Sequence, residues 1–336
     1  MHGPTTAISA GSLADAGLDP QLLDCWETTL ALGLLAEGFA DLASLLGSQW
    51  WFTSPAGAGQ PPNLDREPQA ERLCRLTGLL TVRHELDERG LVAQCEEQLA
   101  SGRLPLVVTD AYLLPWCPYF GNKHVEHSFA VTAVTGSGAV DGATAASPVL
   151  AVADGYYNRT EWGTAVPLDT SADAATVAAV EKDPGTRIVV LVPGDPAGPP
   201  DRSALLRESL AGLAGWRQED PYREFVRLHC EQEVDAATFE AFCEACWTIE
   251  RRRALYASWL DGLAAEPDSP LPEGLPQRFR EEVVAAWSAV NRFSYLALRR
   301  MRAGRGPARG MADLLSAASA AERALAAELT APGGPE

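Results

Sequence analysis

His127 and Asp154 stand where side chains could do chemistry together. His127 comes immediately before an apolar, β-prone run, Ser128 to Val134, and Asp154 immediately after a second such run, Pro148 to Ala153. If the two runs pair as neighbouring strands, the intervening GSGAVDGATAASP becomes their hairpin loop. The imidazole and the carboxylate then fall at the same end of the sheet. A carboxylate beside an imidazole is the base-and-orienter half of a nucleophilic triad. The nucleophile must come from elsewhere, and Cys25 is the candidate. After Pro20, the spacing of Leu22, Leu23, Trp26, Leu30 and Leu34 reads as a helix, capped near Asp24 and ended by Gly38. Cys25 falls in its first turn, where partial positive charge and free N–H groups favour a thiolate over a thiol. The alternative is that Cys25 is a small buried apolar residue on that helix.

Other reactive groups have weaker patterns. His124 and His127 form an HxxH pair, but no nearby Cys or carboxylate completes a zinc motif of known spacing, so no metal is expected there. Cys243 and Cys246 form CxxC, with His229 and Cys230 upstream. Together with Phe239, Phe242 and Trp247 they make a helical stripe, and the expectation is packing rather than ligation. Arginines cluster at 251–253 and at 299, 300, 302, 305 and 309. Such clusters either dock an anionic partner or form solvated faces with ion pairs. The chain has no GxxxxGK[ST], no GxGxxG after a strand, no HExxH and no GxSxG, so nucleotide-dependent, zincin and serine-hydrolase readings lack their usual support.

The 336 residues carry a net charge of −18, which argues against nucleic acid as partner. No apolar run approaches a membrane span, and the first 20 residues, without Lys or Arg, read as a flexible lead-in rather than a signal. Seven irregularly spaced cysteines read as reduced thiols in a cytoplasmic protein.

The elements that must position the three residues follow in order. A short helix is expected over Phe39 to Leu46, and SQWWFTSP reads as a strand or an aromatic wall. PAGAGQPPN is a loop. Helical spacing covers Arg66 to Leu76 and Glu85 to Leu99. Residues 104–110 read as a buried strand. AYLLPWCPYFGN then reads as an aromatic loop that either lines a pocket or plugs the core. A helix over Ala172 to Glu181 and a strand over 186–193 complete the first part. The run PGDPAGPPD (193–201) marks a boundary. Helices are then expected near 202–215, 220–232, 235–264, 276–303 and 311–330, before a disordered APGGPE tail.

The order of DCWETTLALGLLAEG, VVTDAYLLPWCPYF, HSFAVTAV and VLAVADGYY resembles the butirosin biosynthesis protein H N-terminal-like family over roughly residues 20 to 195. More distantly it is similar to papain-type peptidases that process double-glycine leaders. The resemblance implies a papain-like domain, a helix packed on an antiparallel sheet, over 1–197; with the all-helical domain that the pattern predicts over 198–336, which the resemblance does not cover, the expected fold is α+β. It implies acyl transfer from a carrier-protein thioester to an amine, with Cys25 as nucleophile, His127 as base and Asp154 as orienting acid. In such enzymes a glutamine before the cysteine serves the oxyanion. The nearest here is Gln21, only four positions upstream, so backbone N–H groups at the helix start are left to serve.

The expected function is therefore an acyltransferase or cyclase of specialised metabolism. Its partners are an acyl or peptidyl carrier protein and a small amine, and the C-terminal arginines are the docking face for an acidic carrier. Trp50, Trp51, Tyr112, Trp116, Tyr119 and Phe120 are expected to keep the pocket dry, with His124 at its lining. No resident cofactor is expected, because phosphopantetheine arrives on the carrier. Two other readings stay open: a thioesterase or peptidase with water as acceptor, and a binding protein on a degenerate peptidase fold with Cys25 buried and inert.

Overall fold

Six antiparallel strands in the order β1-β8-β2-β3-β4-β7 form the sheet on which the first part of the chain is built. The computed structural model describes residues 7–54, 56–57, 59–64, 69–136, 148–195, 198, 201–214, 222–231 (without the side chains of 230 and 231), 234–305 and 310–330. It divides into two compact units, Met1–Leu42 with Ala70–Gly198, and Ala43–Gln69 with Pro199–Glu336. Residues 43–69, expected in the first domain, cluster with the second unit.

In the first unit, α1 (Ser12–Asp15) precedes α2 (Cys25–Ala36). Then come α4 (Gln69–Thr77), β1 (Leu79–Glu85), α5 (Gly90–Ala100), β2 (Leu106–Asp110), β3 (Glu126–Thr135), β4 (Val149–Asp154), β5 (Asn158–Thr160), β6 (Gly163–Ala165), β7 (Leu168–Ala172), α6 (Ala174–Val180) and β8 (Arg187–Pro193). The short α3 (Leu42–Gly47) falls almost wholly in the second unit. The α+β class is as the sequence implied. β3 and β4 pair antiparallel, Ala130 opposite Ala153 and Val131 opposite Val152; the expected hairpin loop lies mostly outside the described residues.

Side chains from α5 (Leu91, Cys95) and α6 (Val177, Val180) form one core with Val107, Phe129, Val131, Val152 and Val190 of the sheet. Alternation along the strands assigns these residues to one face. α2 packs through Gly33, where an added Cβ would stand 3.2 Å from Leu106 and from Leu191. Those two side chains belong to the opposite face by parity, so α2 and α5/α6 sandwich the sheet. α2 is buried almost all round from Glu27 to Leu34.

The N-terminal segment is not a flexible lead-in over its described part, residues 7–20. Leu13 and Leu18 are buried, and the N–H of Ala10 donates to Asp169 Oδ1 at 2.8 Å. Three apolar positions in nine residues suffice to anchor it. Two strands escaped the sequence reading, β1 and β7, together with the small β5–β6 hairpin. Both β1 and β7 are sheet edges, and LLTVRHE and LDTSA alternate apolar with polar residues too weakly to stand out. The helix expected from Glu85 begins only at Gly90, because Glu85 closes β1. Residues Arg66 to Pro68 of the preceding expected helix lie outside the described residues.

The second unit is helical: α7 (Arg202–Ala214), α8 (Arg223–Val226) continuing into a π-helical turn, α9 (Ala236–Ala264), α10 (Leu275–Arg278) leading through a second π-helical turn into α11 (Ala285–Arg302), and α12 (Met311–Leu329). Its interior holds a fully buried ion pair, Arg253 with Glu322, at 2.8 Å. Glu322 also accepts from Trp50 Nε1 at 3.0 Å, Tyr222 Oη at 2.5 Å and Trp287 Nε1 at 2.5 Å. A buried carboxylate is tolerated when its acceptor sites are filled in this way. Cys243 and Cys246 are buried with Phe239 and Phe242 on α9, and burial pushes the Cys243 thiol up to about 12. His229 lies between Phe225 and Phe242; the side chain of Cys230 is outside the described residues. Among the described residues no group of three or more His, Cys, Asp or Glu is placed to hold a metal ion, and no helix is long and apolar enough to cross a membrane.

Candidate active site

α2 begins at Cys25 because Asp24 caps it. The Asp24 carboxylate accepts from the N–H of Glu27 at 2.7 Å, and the Glu27 carboxylate accepts from the N–H of Asp24 at 3.0 Å. This reciprocal box leaves Cys25 at the first helical position, where the backbone N–H has no place in the i→i−4 ladder. The hydroxyl of Ser128 donates to the carbonyl of Cys25 at 2.9 Å, which ties the start of α2 to β3 one residue beyond His127. The Cys25 thiol, partly exposed, lies 3.8 Å from the carbonyl of Glu126 and is near enough to the His127 side chain to act on its pKa.

His127 Nε2 is 2.8 Å from Asp154 Oδ2, and both side chains are buried. With Nε2 committed to Asp154, Nδ1 is the ring nitrogen left for the sulfur. Burial alone would lower the His127 pKa. The Asp154 carboxylate and the Cys25 side chain outweigh it and raise the value well above the usual histidine range. Asp154 is itself held: Oδ2 accepts from Trp116 Nε1 at 3.0 Å, and Oδ1 from the N–H of Tyr156 at 3.0 Å. The Tyr156 ring stands edge-on to His127 at 5.3 Å, and Trp116 packs edge-on to Phe129. Gly155 lets the chain turn close under the N-terminal segment, since a Cβ there would meet Leu13 at 2.9 Å.

The three expected catalytic residues therefore come together. A second thiol, Cys117, is buried near them, and burial pushes its pKa up, so Cys25 is the more accessible thiol of the pair. The expected pocket residues divide. Trp116 serves Asp154. Tyr119 accepts from Asn158 Nδ2 at 3.2 Å and meets Trp162 edge-on at 5.7 Å, next to exposed Phe120. Tyr112 stacks on the ring of His124, which pairs with Asp110 rather than facing His127. Trp50 and Trp51 belong to the second unit and not to the one that holds this site: Trp50 is fully buried in the second unit's core, bonded to Glu322. Trp51 lies where a Cβ on Gly212 of α7 would meet it at 2.5 Å. Their aromatic, tryptophan-rich run is hydrophobic enough for any core, and adjacency in sequence to the first domain misdirected the reading. Gln21 is exposed on a turn before α2.

Ser128 and Tyr156 were missed from sequence. Each follows a triad member by one or two positions, but nothing in the residue type separates a tether from an ordinary strand residue. The arrangement can deprotonate a thiol, hold an imidazolium and offer a backbone N–H to an oxyanion at one place. No protein-family model matches the chain, and no curated protein does so either.

Proposed function

We propose that the chain is a cysteine-dependent acyltransferase or cyclase with a papain-like first unit, and that it takes its acyl group from a carrier-protein thioester. The observation that carries this reading is one histidine bonded to a buried carboxylate and set beside a partly exposed thiol at a helix start. The imidazolium of His127 favours the thiolate of Cys25, which attacks the thioester carbonyl. The carrier sulfur leaves with the proton from His127, and the acyl group remains on Cys25 as a thioester of similar energy. An amine then attacks that carbonyl. His127 takes the amine proton, the Cys25 sulfur leaves, and an amide is released. The oxyanion of each step falls to the backbone N–H of Cys25. Phosphopantetheine belongs to the carrier, so the chemistry asks for no further group on this chain.

The resemblance to the butirosin biosynthesis protein H N-terminal-like family supports the same assignment. The partial exposure of Cys25 and its nearness to His127 favour this reading over a binding protein, in which Cys25 would be buried and inert. Hydrolysis by the same triad is the second reading: Phe120, expected to keep water out, stands exposed on the first unit, which favours water as acceptor as well as amine. Incubation with an acyl N-acetylcysteamine thioester, followed by intact mass, is the test. The wild type should gain one acyl group, mapped to Cys25, and Cys25→Ala none; an adduct that persists in Cys25→Ala ends the proposal. Amide against free acid among the products separates the two acceptors.

A further inference from the structure

Between Glu282 and Asp313 the chain carries arginines at 292, 299, 300, 302, 305 and 309 and no Asp or Glu, in a protein of net charge −18. The structure sorts these and the other arginines of the region by use. Arg253 is buried on Glu322, Arg302 pairs with Glu240 at 2.6 Å, and Arg251 lies over the ring of Trp247 at 4.0 Å. Arg309 is outside the described residues. Arg305, past the end of α11, is exposed without a carboxylate partner among the described residues, and so are the three on the helix, Arg292, Arg299 and Arg300; Arg292 reaches only the carbonyl of Ser288.

These three share one face of α11. With Tyr295 and Leu296 they occupy i, i+3, i+4, i+7 and i+8, one stripe of a helix. Tyr295 is 42% exposed and Leu296 56%, the only large hydrophobic residues of the second unit that stand so far out among the described residues. Arg299 and Arg300 also suit the C-terminal dipole of α11, but Arg292, two turns back, gains little from it. A cationic rim around a small apolar centre, on an otherwise acidic protein, is complementary to an acidic protein surface with an apolar spot of its own.

We infer that this stripe, Arg292, Tyr295, Leu296, Arg299 and Arg300, is the docking face for the acidic carrier protein that delivers the acyl thioester. The inference rests on the acyl-transfer reading and narrows its partner surface from two arginine clusters to one helix face. Nothing in it requires the arginines to touch the reacting atoms: their contribution is to capture the carrier, which should be fast at low salt and weaken as salt screens it.

The test uses the full chain and two acyl donors, an acetyl-loaded acidic acyl carrier protein and acetyl N-acetylcysteamine. Arg292→Glu/Arg299→Glu/Arg300→Glu should acylate Cys25 from the carrier at least about tenfold more slowly than wild type at low salt, and from the small thioester at the wild-type rate. Leu296→Ala should weaken carrier use while leaving its salt dependence unchanged. Equal use of the carrier by wild type and the triple variant, or equal loss with both donors, overturns the docking face, as does binding of a single-stranded oligonucleotide in place of carrier. Failure of wild type to be acylated by the small thioester counts instead against the triad reading, which separates the two failures.

Discussion

Trp116 and His127 share one oxygen: the indole N–H reaches Asp154 Oδ2 at 3.0 Å and the imidazole Nε2 at 2.8 Å. The aromatic loop thus holds Asp154, which in turn holds His127. Removing the indole donor with Trp116→Phe keeps a ring against Phe129 and takes one charge-assisted bond from a buried carboxylate, about 1.5 kcal/mol. If that loss is felt in the transition state, kcat falls about tenfold with KM unchanged. A change in KM alone would mean that Trp116 acts on substrate and not through Asp154.

The raised pKa of His127 has a stability consequence of definite sign. The folded value lies above the unfolded one, near 6.5, so the contribution is fully present below that pH. It is lost as pH rises through the folded value. The stability gap between wild type and His127→Gln should therefore be wide at pH 6 and narrow in alkali, followed on the first unit's unfolding transition. A gap that widens with pH contradicts the assignment.

His229 has the opposite sign. Among the described residues neither ring nitrogen has a hydrogen-bond partner, and burial brings its pKa down to about 4. Here the neutral form is the folded one, so stability is present above about 6.5 and is lost as pH falls toward the folded value. His229→Phe, a ring among Phe225 and Phe242, should raise the acid stability of the second unit and matter little at pH 8. Denaturant midpoints at pH 5 and pH 8 check this.

Gly33 is where α2 meets the sheet most closely, 3.2 Å from Leu106 and Leu191 for an added Cβ. Gly33→Val should cost about 1–3 kcal/mol through overpacking. By shifting α2 against β3 it should also slow alkylation of Cys25 by iodoacetamide at neutral pH, although it touches none of the three reactive residues. Unchanged alkylation would show that the helix start is held by Ser128 and the cap alone.

Glu322 and Arg253 should not be equivalent. Arg253→Met leaves Glu322 with the donors of Trp50, Tyr222 and Trp287, whereas Glu322→Leu strands all three and a buried guanidinium. Breaking such a pair costs about 3–5 kcal/mol. The Glu322 variant should lie at or above that range and the Arg253 variant below it, by chemical denaturation. Equal losses would mean that the ion pair, and not the neutral donors, dominates.

The sequence by itself determined the elements with strong local signatures. The buried central strands β2, β3, β4 and β8 announce themselves as apolar runs, and the long helices of the second unit by their periodicity. The Asp24–Glu27 spacing marks the start of α2. Because His127 opens one central strand and Asp154 closes its neighbour, their encounter follows from antiparallel pairing alone. Only the tertiary structure decided the rest. Edge strands β1 and β7 have one solvated side and gain their order from β8 and β4 rather than from their own residues. Trp50 and Trp51 join a core assembled from helices more than 150 residues away, a choice no local pattern encodes. The partners of each arginine likewise depend on which carboxylate the folded chain brings near, which is why two similar clusters in the sequence become a buried pair, a ring contact and a single exposed stripe.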